Sequence, residues 1–195
     1  MKTLLSVLCI VLLAQFASFG DEMPKVGDKA PDFSALSVSA DGKPPFPRFS
    51  DNAPGFPSSV KTVQLKDYLG KGPIILYFYP KDDTKGCTAE ACGIRDTMDQ
   101  FKGLDATVLG VSFDSVESHK AFIAKYGLPF TLLADTDKKV AKAYGVADDN
   151  SKVASRVTFV IDKNGKIAFV DPKVNPATHA AEMRAVLANM APNLN

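Results

Sequence analysis

An α/β fold, with a mixed central β-sheet flanked by helices on both faces, follows from three features of the 195-residue sequence. Strand-like and helix-like segments alternate through the middle of the chain. The first of those strands, Pro73 to Tyr79, is an almost unbroken apolar run suited to burial on both faces. Near the C-terminal end, Lys163-Asn164-Gly165 separates two short strand-like segments and signals a hairpin. The order strand–helix–strand–helix–strand demands parallel crossovers with helices covering the sheet, and the hairpin adds antiparallel strands.

The segments are assigned in order. Asp32 to Val38 is a short extended stretch after Ala30-Pro31. Residues 43 to about 61 hold Pro44, Pro45, Pro47, Pro54 and Pro57 among Gly, Ser and Asn, which predicts a Pro-rich insertion without regular structure. Thr62 to Leu65 alternates weakly, and Lys66 to Leu69 fits one helical turn. Thr88 to Phe101 places Ala91, Ile94, Met98 and Phe101 at helical spacing. Ala106 to Phe113 reads as a second buried strand. Ser115 to Tyr126 is amphipathic, opens at a capping serine and stops at Gly127. Phe130 to Ala134 is a short strand and Lys138 to Tyr144 a short helix. Arg156 to Asp162 and Lys166 to Val170 flank the hairpin turn. Pro176 to Met190 forms a last helix, with Ala180, Met183, Val186 and Leu187 on one face. The thioredoxin-like arrangement is the compact solution for this order.

The N-terminal stretch is not expected to be part of the fold. Lys2 supplies a positive region, Leu4 to Phe16 an apolar run, and Ser18-Phe19-Gly20 the small residues of a cleavage site. Residues 1–20 therefore read as a signal peptide and residues 21–195 as one domain. The exported chain belongs in a periplasm or outside the cell, with no membrane contact after cleavage. The apolar run is short of the roughly 20 residues of a spanning helix; an uncleaved anchor is the alternative. Without the leader, 22 basic and 22 acidic residues remain. No basic block points to nucleic acid or an anionic membrane surface. The cysteines fall from three to two, Cys87 and Cys92.

Two cysteines in an exported chain read first as a structural disulfide. Their setting points elsewhere. The buried strand ends at Tyr79-Pro80, a loop follows, and Cys87 opens a helix. A sulfur there meets unpaired backbone N–H groups and the positive end of the helix dipole, which favour its negative form. A second thiol lies just over one helical turn on. Thr84, three residues before Cys87, is close enough for its hydroxyl to bond the sulfur. Pro80 fixes the loop and shields the sulfur from water. Arg156 starts a strand that can deliver a permanent cation. His119 and His179 are the only histidines; without metal-ligand spacing they read as solvated helix positions. Asp82-Asp83 reads as turn chemistry. No metal or organic cofactor is called for.

Pro80, Thr84 and Cys87 match the Pro-x-x-x-Thr-x-x-Cys motif of peroxiredoxins. The run from Phe78 to Asp96 resembles the bacterioferritin-comigratory, or Q-type, subfamily. Gly110 to Ser115, Ser118-His119, Lys125 to Phe130, Arg156 to Asp162 and Ala30-Pro31-Asp32-Phe33 extend the resemblance over roughly residues 25 to 190. It implies a thioredoxin-like fold and a thiol-dependent peroxidase of the atypical two-cysteine kind. Cys87 would be the peroxidatic residue and Cys92 the resolving one, joined as an intramolecular disulfide. Pro80, Thr84 and Arg156 would surround a hydrogen peroxide or organic hydroperoxide, and Glu90 and Arg95 would support the helix. A thioredoxin-like donor would reduce the disulfide. A monomer is expected, with a dimer as the alternative. The leader departs from a family found mostly in the cytosol, and the Pro-rich insertion replaces a short hairpin.

Three other readings fit less well. An exported disulfide oxidoreductase uses Cys-x-x-Cys, whereas four residues intervene here. A copper-delivery domain wants Cys-x-x-x-Cys with a histidine. A static disulfide conflicts with geometry: five residues of α-helix rise about 7.5 Å and turn about 140°. Disulfide-linked α-carbons lie within about 7 Å.

Overall fold

The structure, a computed structural model, describes residues 22–40 and 58–190. Seven strands and four helices follow one another as β1 (Ser34–Ala40), β2 (Ser58–Gln64), β3 (Ile74–Phe78), α1 (Lys85–Lys102), β4 (Thr107–Ser112), α2 (Val116–Tyr126), β5 (Thr131–Ala134), α3 (Lys139–Ala143), β6 (Val157–Ile161), β7 (Ile167–Asp171) and α4 (His179–Met190). A single 3-10 turn, Leu65–Asp67, follows β2.

The strands form one sheet in the order β2-β1-β5-β4-β3-β6-β7. β3, β4 and β5 run parallel, and β1, β2, β6 and β7 pair antiparallel to their neighbours. This is the mixed, thioredoxin-like sheet that the sequence predicts. β3 lies in the interior of the sheet, and its side chains are apolar on both faces. Ile74, Leu76 and Phe78 enter one core with α3, β6 and the 3-10 turn. Ile75, Tyr77 and Tyr79 enter the other with α1, α2 and α4. The period-2 alternation of a strand assigns these partners. Helices do cover both faces, but unequally: three pack on the second face and only the short α3 on the first.

Local signals set the boundaries. Ser115 caps α2, its hydroxyl accepting from the Ser118 amide at 3.3 Å, and Gly127 ends the helix in the left-handed region at φ 61°. Asp162-Lys163-Asn164-Gly165 turns β6 into β7, with Gly165 at φ 82°. α1 is longer than its apolar spacing suggests. It begins at Lys85, so Cys87 lies on its first turn rather than at its opening residue.

The Pro-rich insertion needs a correction. Its segment 43–57 lies outside the described residues. Residues 58–61 are not loop: they begin β2, which pairs with β1 from Ala40↔Ser58 to Ser34↔Gln64. The weak alternation that begins at Thr62 is thus the tail of a longer strand, which ends at Gln64, and Leu65 opens the 3-10 turn. Polar Ser58, Ser59 and Lys61 hid its start, as an edge strand needs few apolar residues.

Ala40 and Ser58 face each other across the hairpin. A two-residue Asn-Gly turn replacing residues 41–57 is therefore expected to preserve the fold. Extending the deletion through residue 61 removes four of the seven β1–β2 pairs, and a clearly lower urea midpoint is expected. Equal midpoints would show that β2 contributes little.

Candidate active site

Cys87 sits where β3 delivers the chain to α1. After Tyr79 and Pro80, the loop passes through Asp83 at φ 56°, and Thr84 occupies the N-cap of α1. The Thr88 amide makes the first helical bond, to the Thr84 carbonyl at 2.8 Å. The amides of Lys85, Gly86 and Cys87 thus precede any intrahelical acceptor. Cys87 is only 1% exposed.

Two acidic residues anchor the loop to α2. Asp83 is exposed and accepts from Lys125 at 2.6 and 2.9 Å and from the Tyr126 hydroxyl at 2.5 Å. The hydrogen bond from Lys125, then that from Tyr126, keeps its carboxyl below the usual range. Asp82 points inward and is buried. It accepts from the Tyr79 hydroxyl at 2.7 Å and the Ser118 hydroxyl at 2.8 Å, and lies 2.8 Å from His119 Nδ1. His119 Nε2 faces the Leu133 carbonyl at 3.2 Å. Asp83 fits the expected turn chemistry, but Asp82 does not: it ties β3, the loop and α2 together. His119, expected in solvent, is fully buried.

Arg156 reaches the sulfur as the sequence predicts. Its Nη2 donates to Cys87 Sγ at 3.1 Å, and its Nη1 donates to Glu90 Oε2. The Glu90 side chain is fully buried and that of Arg156 is 18% exposed. Burial alone would lower the pKa of the guanidinium. Glu90 and Cys87 outweigh it and raise the pKa, so the group stays charged. Sheet register makes this meeting possible. Val157 pairs with Phe78 across β6 and β3, so the preceding Arg156 lies level with the end of β3, where α1 begins.

The other predicted residues stand differently. The Thr84 hydroxyl donates to the Lys81 carbonyl at 3.1 Å, and Thr84 is exposed. The expected bond from Thr84 to the sulfur is not made in this structure; the hydroxyl serves the turn instead. Pro80 is half-buried and follows β3 directly, where it can shape the loop. Cys92 is half-buried on α1, and both cysteines are free thiols. Arg95 bonds Asp96 at 2.8 Å and the Tyr126 carbonyl at 2.7 Å, linking α1 to the end of α2.

A second layer was not anticipated. His179, expected in solvent, is fully buried at the start of α4. Its Nδ1 lies 3.0 Å from Glu90 Oε1 without a hydrogen bond between them, and its Nε2 lies 2.9 Å from Thr158 Oγ1. The spacing that placed Met183 and Leu187 on the buried stripe of α4 also includes residue 179, four positions earlier. Similarly, His119 lies three and four residues before buried Phe122 and Ile123. Polarity of the side chain obscured a positional signal that was present.

The sequence matches the AhpC/TSA family over residues 26–170. It is 49% identical over 127 residues to a Coxiella burnetii protein named as a peroxiredoxin bcp, covering 62% of this chain and 83% of that one. It is 43% identical over 132 residues to the chloroplastic peroxiredoxin Q of Triticum aestivum, covering 67% of this chain but only 60% of the wheat protein. The fold is similar to the bacterioferritin comigratory protein of Xanthomonas campestris, whose structures concern its alkyl peroxide reduction activity. That similarity has a TM-score of 0.63 at 33% identity and covers 67% of this chain and 86% of the other. With Cys87, Glu90 and Arg156 assembled at the end of β3, the chain belongs to the AhpC/TSA family, among the bcp and Q peroxiredoxins.

Proposed function

We propose that this thiol-dependent peroxidase reduces hydrogen peroxide and organic hydroperoxides at Cys87. The observation that carries the assignment is the 3.1 Å contact between Arg156 and Cys87 Sγ, on the first turn of a helix and backed by buried Glu90. The guanidinium and the helix N-terminus stabilise negative charge on the sulfur, and later on the oxygens of a breaking O–O bond.

In the first step Cys87 sulfur attacks one peroxide oxygen. The O–O bond breaks, the sulfur becomes a sulfenic acid, and water or an alcohol leaves. In the second, the Cys92 thiol attacks that sulfur, water departs, and a disulfide forms. A thioredoxin-like dithiol then takes over the disulfide and restores both thiols. Pro80 and Thr84 are assigned to the peroxide pocket, with Thr84 turning its hydroxyl from Lys81 when a substrate oxygen is present. Residues 1–20 are assigned to export. They lie outside the described residues, and retention of the leader in the mature protein, measured by intact mass, would overturn that assignment.

Cys87→Ser is expected to consume no peroxide above background even with excess small-molecule thiol. Retained turnover would remove the nucleophile from this reading. Arg156→Met should slow sulfenate formation by at least about tenfold, since a positioned charge in such sites is commonly worth more than 1.4 kcal/mol. Its melting temperature should fall as well, because Glu90 is left buried without its cation. An unchanged rate of sulfenate formation would make Arg156 a structural residue.

Oxidation should unwind the start of α1. Cys87 and Cys92 share one continuous helix, and a disulfide cannot span about 7.5 Å of helical rise unless the segment is remodelled. Amide hydrogen exchange should show residues 88–95 protected in the dithiol form and exposed in the disulfide form. The reduced protein should also melt higher. Equal protection in the two forms, with the Cys87–Cys92 disulfide confirmed by mass, would overturn the unwinding.

A further inference from the structure

We propose that His179 is a positioning residue for peroxide attack: it fixes the Glu90 carboxylate and, through it, holds the Arg156 guanidinium on the Cys87 sulfur. The inference rests on Cys87 being the nucleophile. Its basis is a closed ring of contacts among three elements. Arg156 precedes β6 and reaches Glu90 and Cys87 on α1. Glu90 faces His179 on α4, and His179 returns to Thr158 on β6. Thr158 and Arg156 are two residues apart and so share a face of the strand.

The chemistry favours a fixed imidazole. Glu90 and His179 side chains are both fully buried. Glu90 Oε2 is taken by Arg156, whereas Glu90 Oε1 and His179 Nδ1 have no aligned hydrogen-bond partner. They face each other at 3.0 Å. Leaving either buried polar atom unpaired carries a desolvation penalty, so a rotation that closes the bond is favoured. An ionised carboxylate only accepts, which places hydrogen on Nδ1. Thr158 tolerates either state of the other nitrogen. Its hydroxyl donates to Nε2 in a neutral ring and accepts from Nε2–H in a charged one. The ring also packs edge-on against Tyr77, with centroids 5.9 Å apart, which restricts its swing. Without the imidazole, Glu90 keeps its attraction to Arg156 but loses its fixed orientation.

The same contact acts in the opposite sense on the second step. Glu90 lies between Cys87 and Cys92, so the remodelling that joins the two sulfurs must draw Glu90 from His179. A residue that aids attack by holding α1 in shape therefore delays disulfide formation. General damage to the site would not produce these opposite signs.

The test uses the full chain, hydrogen peroxide, and quenched-flow mass spectrometry to follow the Cys87 sulfenate and the disulfide separately. His179→Leu removes the donor while retaining bulk. It should slow sulfenate formation about tenfold and accelerate disulfide formation several-fold, within the coupling range of a contacting pair. His179→Asn places an amide donor near the position of Nδ1 and should restore sulfenate formation to within about twofold of wild type. His179→Gln places its amide near Nε2 and should remain slow. If the leucine variant does not fold, the Asn–Gln contrast decides: Asn fast and Gln slow supports the proposal, and equal rates overturn it. In a Glu90→Gln background the effect of His179→Leu should vanish; an undiminished effect would show that His179 does not act through Glu90. If Cys87→Ser is inactive while every His179 variant matches wild type, only this inference fails. If Cys87→Ser remains active, the reading of the nucleophile fails first.

Discussion

A sulfur that must carry negative charge inside a packed core needs a compensating charge, and the architecture around Cys87 follows from that requirement. Cys87 is almost wholly buried. Burying an uncompensated charge is expensive, and an isolated arginine would transfer the same problem to another atom. The observed solution alternates sign through space: sulfur, Arg156, Glu90. The sheet makes the alternation possible. β6 runs antiparallel beside β3, in a register that sets Arg156 at the end of β3 from which α1 departs. Cys87 and Arg156, 69 residues apart in sequence, meet because two adjacent strands share that end of the sheet.

The loop before α1 and the first turns of α1 are held by different partners. Asp82 and Asp83 bind the loop to α2 through Ser118, His119, Lys125 and Tyr126. The first turns of α1 are held by Arg156 and by the start of α4. This division suits a two-step cycle. The helix can remodel between Cys87 and Cys92 while the loop keeps its anchors on α2. Hydrogen exchange is the appropriate observable, since such opening is local rather than global.

Most of the fold was legible because its elements carry strong periodic signals: both-face apolar runs at β3 and β4, a capped stripe in α2, and an Asn-Gly turn between β6 and β7. β2 was obscured by serines and a lysine on an edge that needs little apolar pattern. Within the site, Cys87 and Arg156 were legible because each residue type has a distinctive chemistry at its place. Thr84 was legible as a nearby hydroxyl, but its bond to Lys81 depends on side-chain rotation, which no motif encodes. The burial of His119 and His179 is less legible, since polarity favours a solvated reading although both lie on buried stripes. Asp82 reads as turn chemistry from the sequence, and its contacts with α2 depend on tertiary packing. A buried polar side chain needs partners, and several of these lie far away in sequence: Thr158 and Glu90 for His179, Ser118 and His119 for Asp82.

The helix proposed to unwind is also weak in composition. Gly86 and Gly93 bracket the segment from Cys87 to Cys92. Neither is required by crowding. A Cβ at Gly86 would lie 3.5 Å from Arg156 Nη2 and 3.8 Å from Pro176 Cγ, and one at Gly93 would lie 3.7 Å from Ala180 Cβ. These are ordinary contact distances, so alanine fits at both places. Glycine within a helix costs about 1 kcal/mol relative to alanine, with the full effect expected at Gly93 and less on the first turn at Gly86. The intact helix therefore depends on the tertiary contacts of Glu90 and of α4 more than on its own propensity. Chemistry that draws Glu90 away removes one of those contacts from a segment already low in helical preference. The proposed attack and resolution demand opposite shapes from the same residues, and a weak helix held by a few buried contacts can supply both.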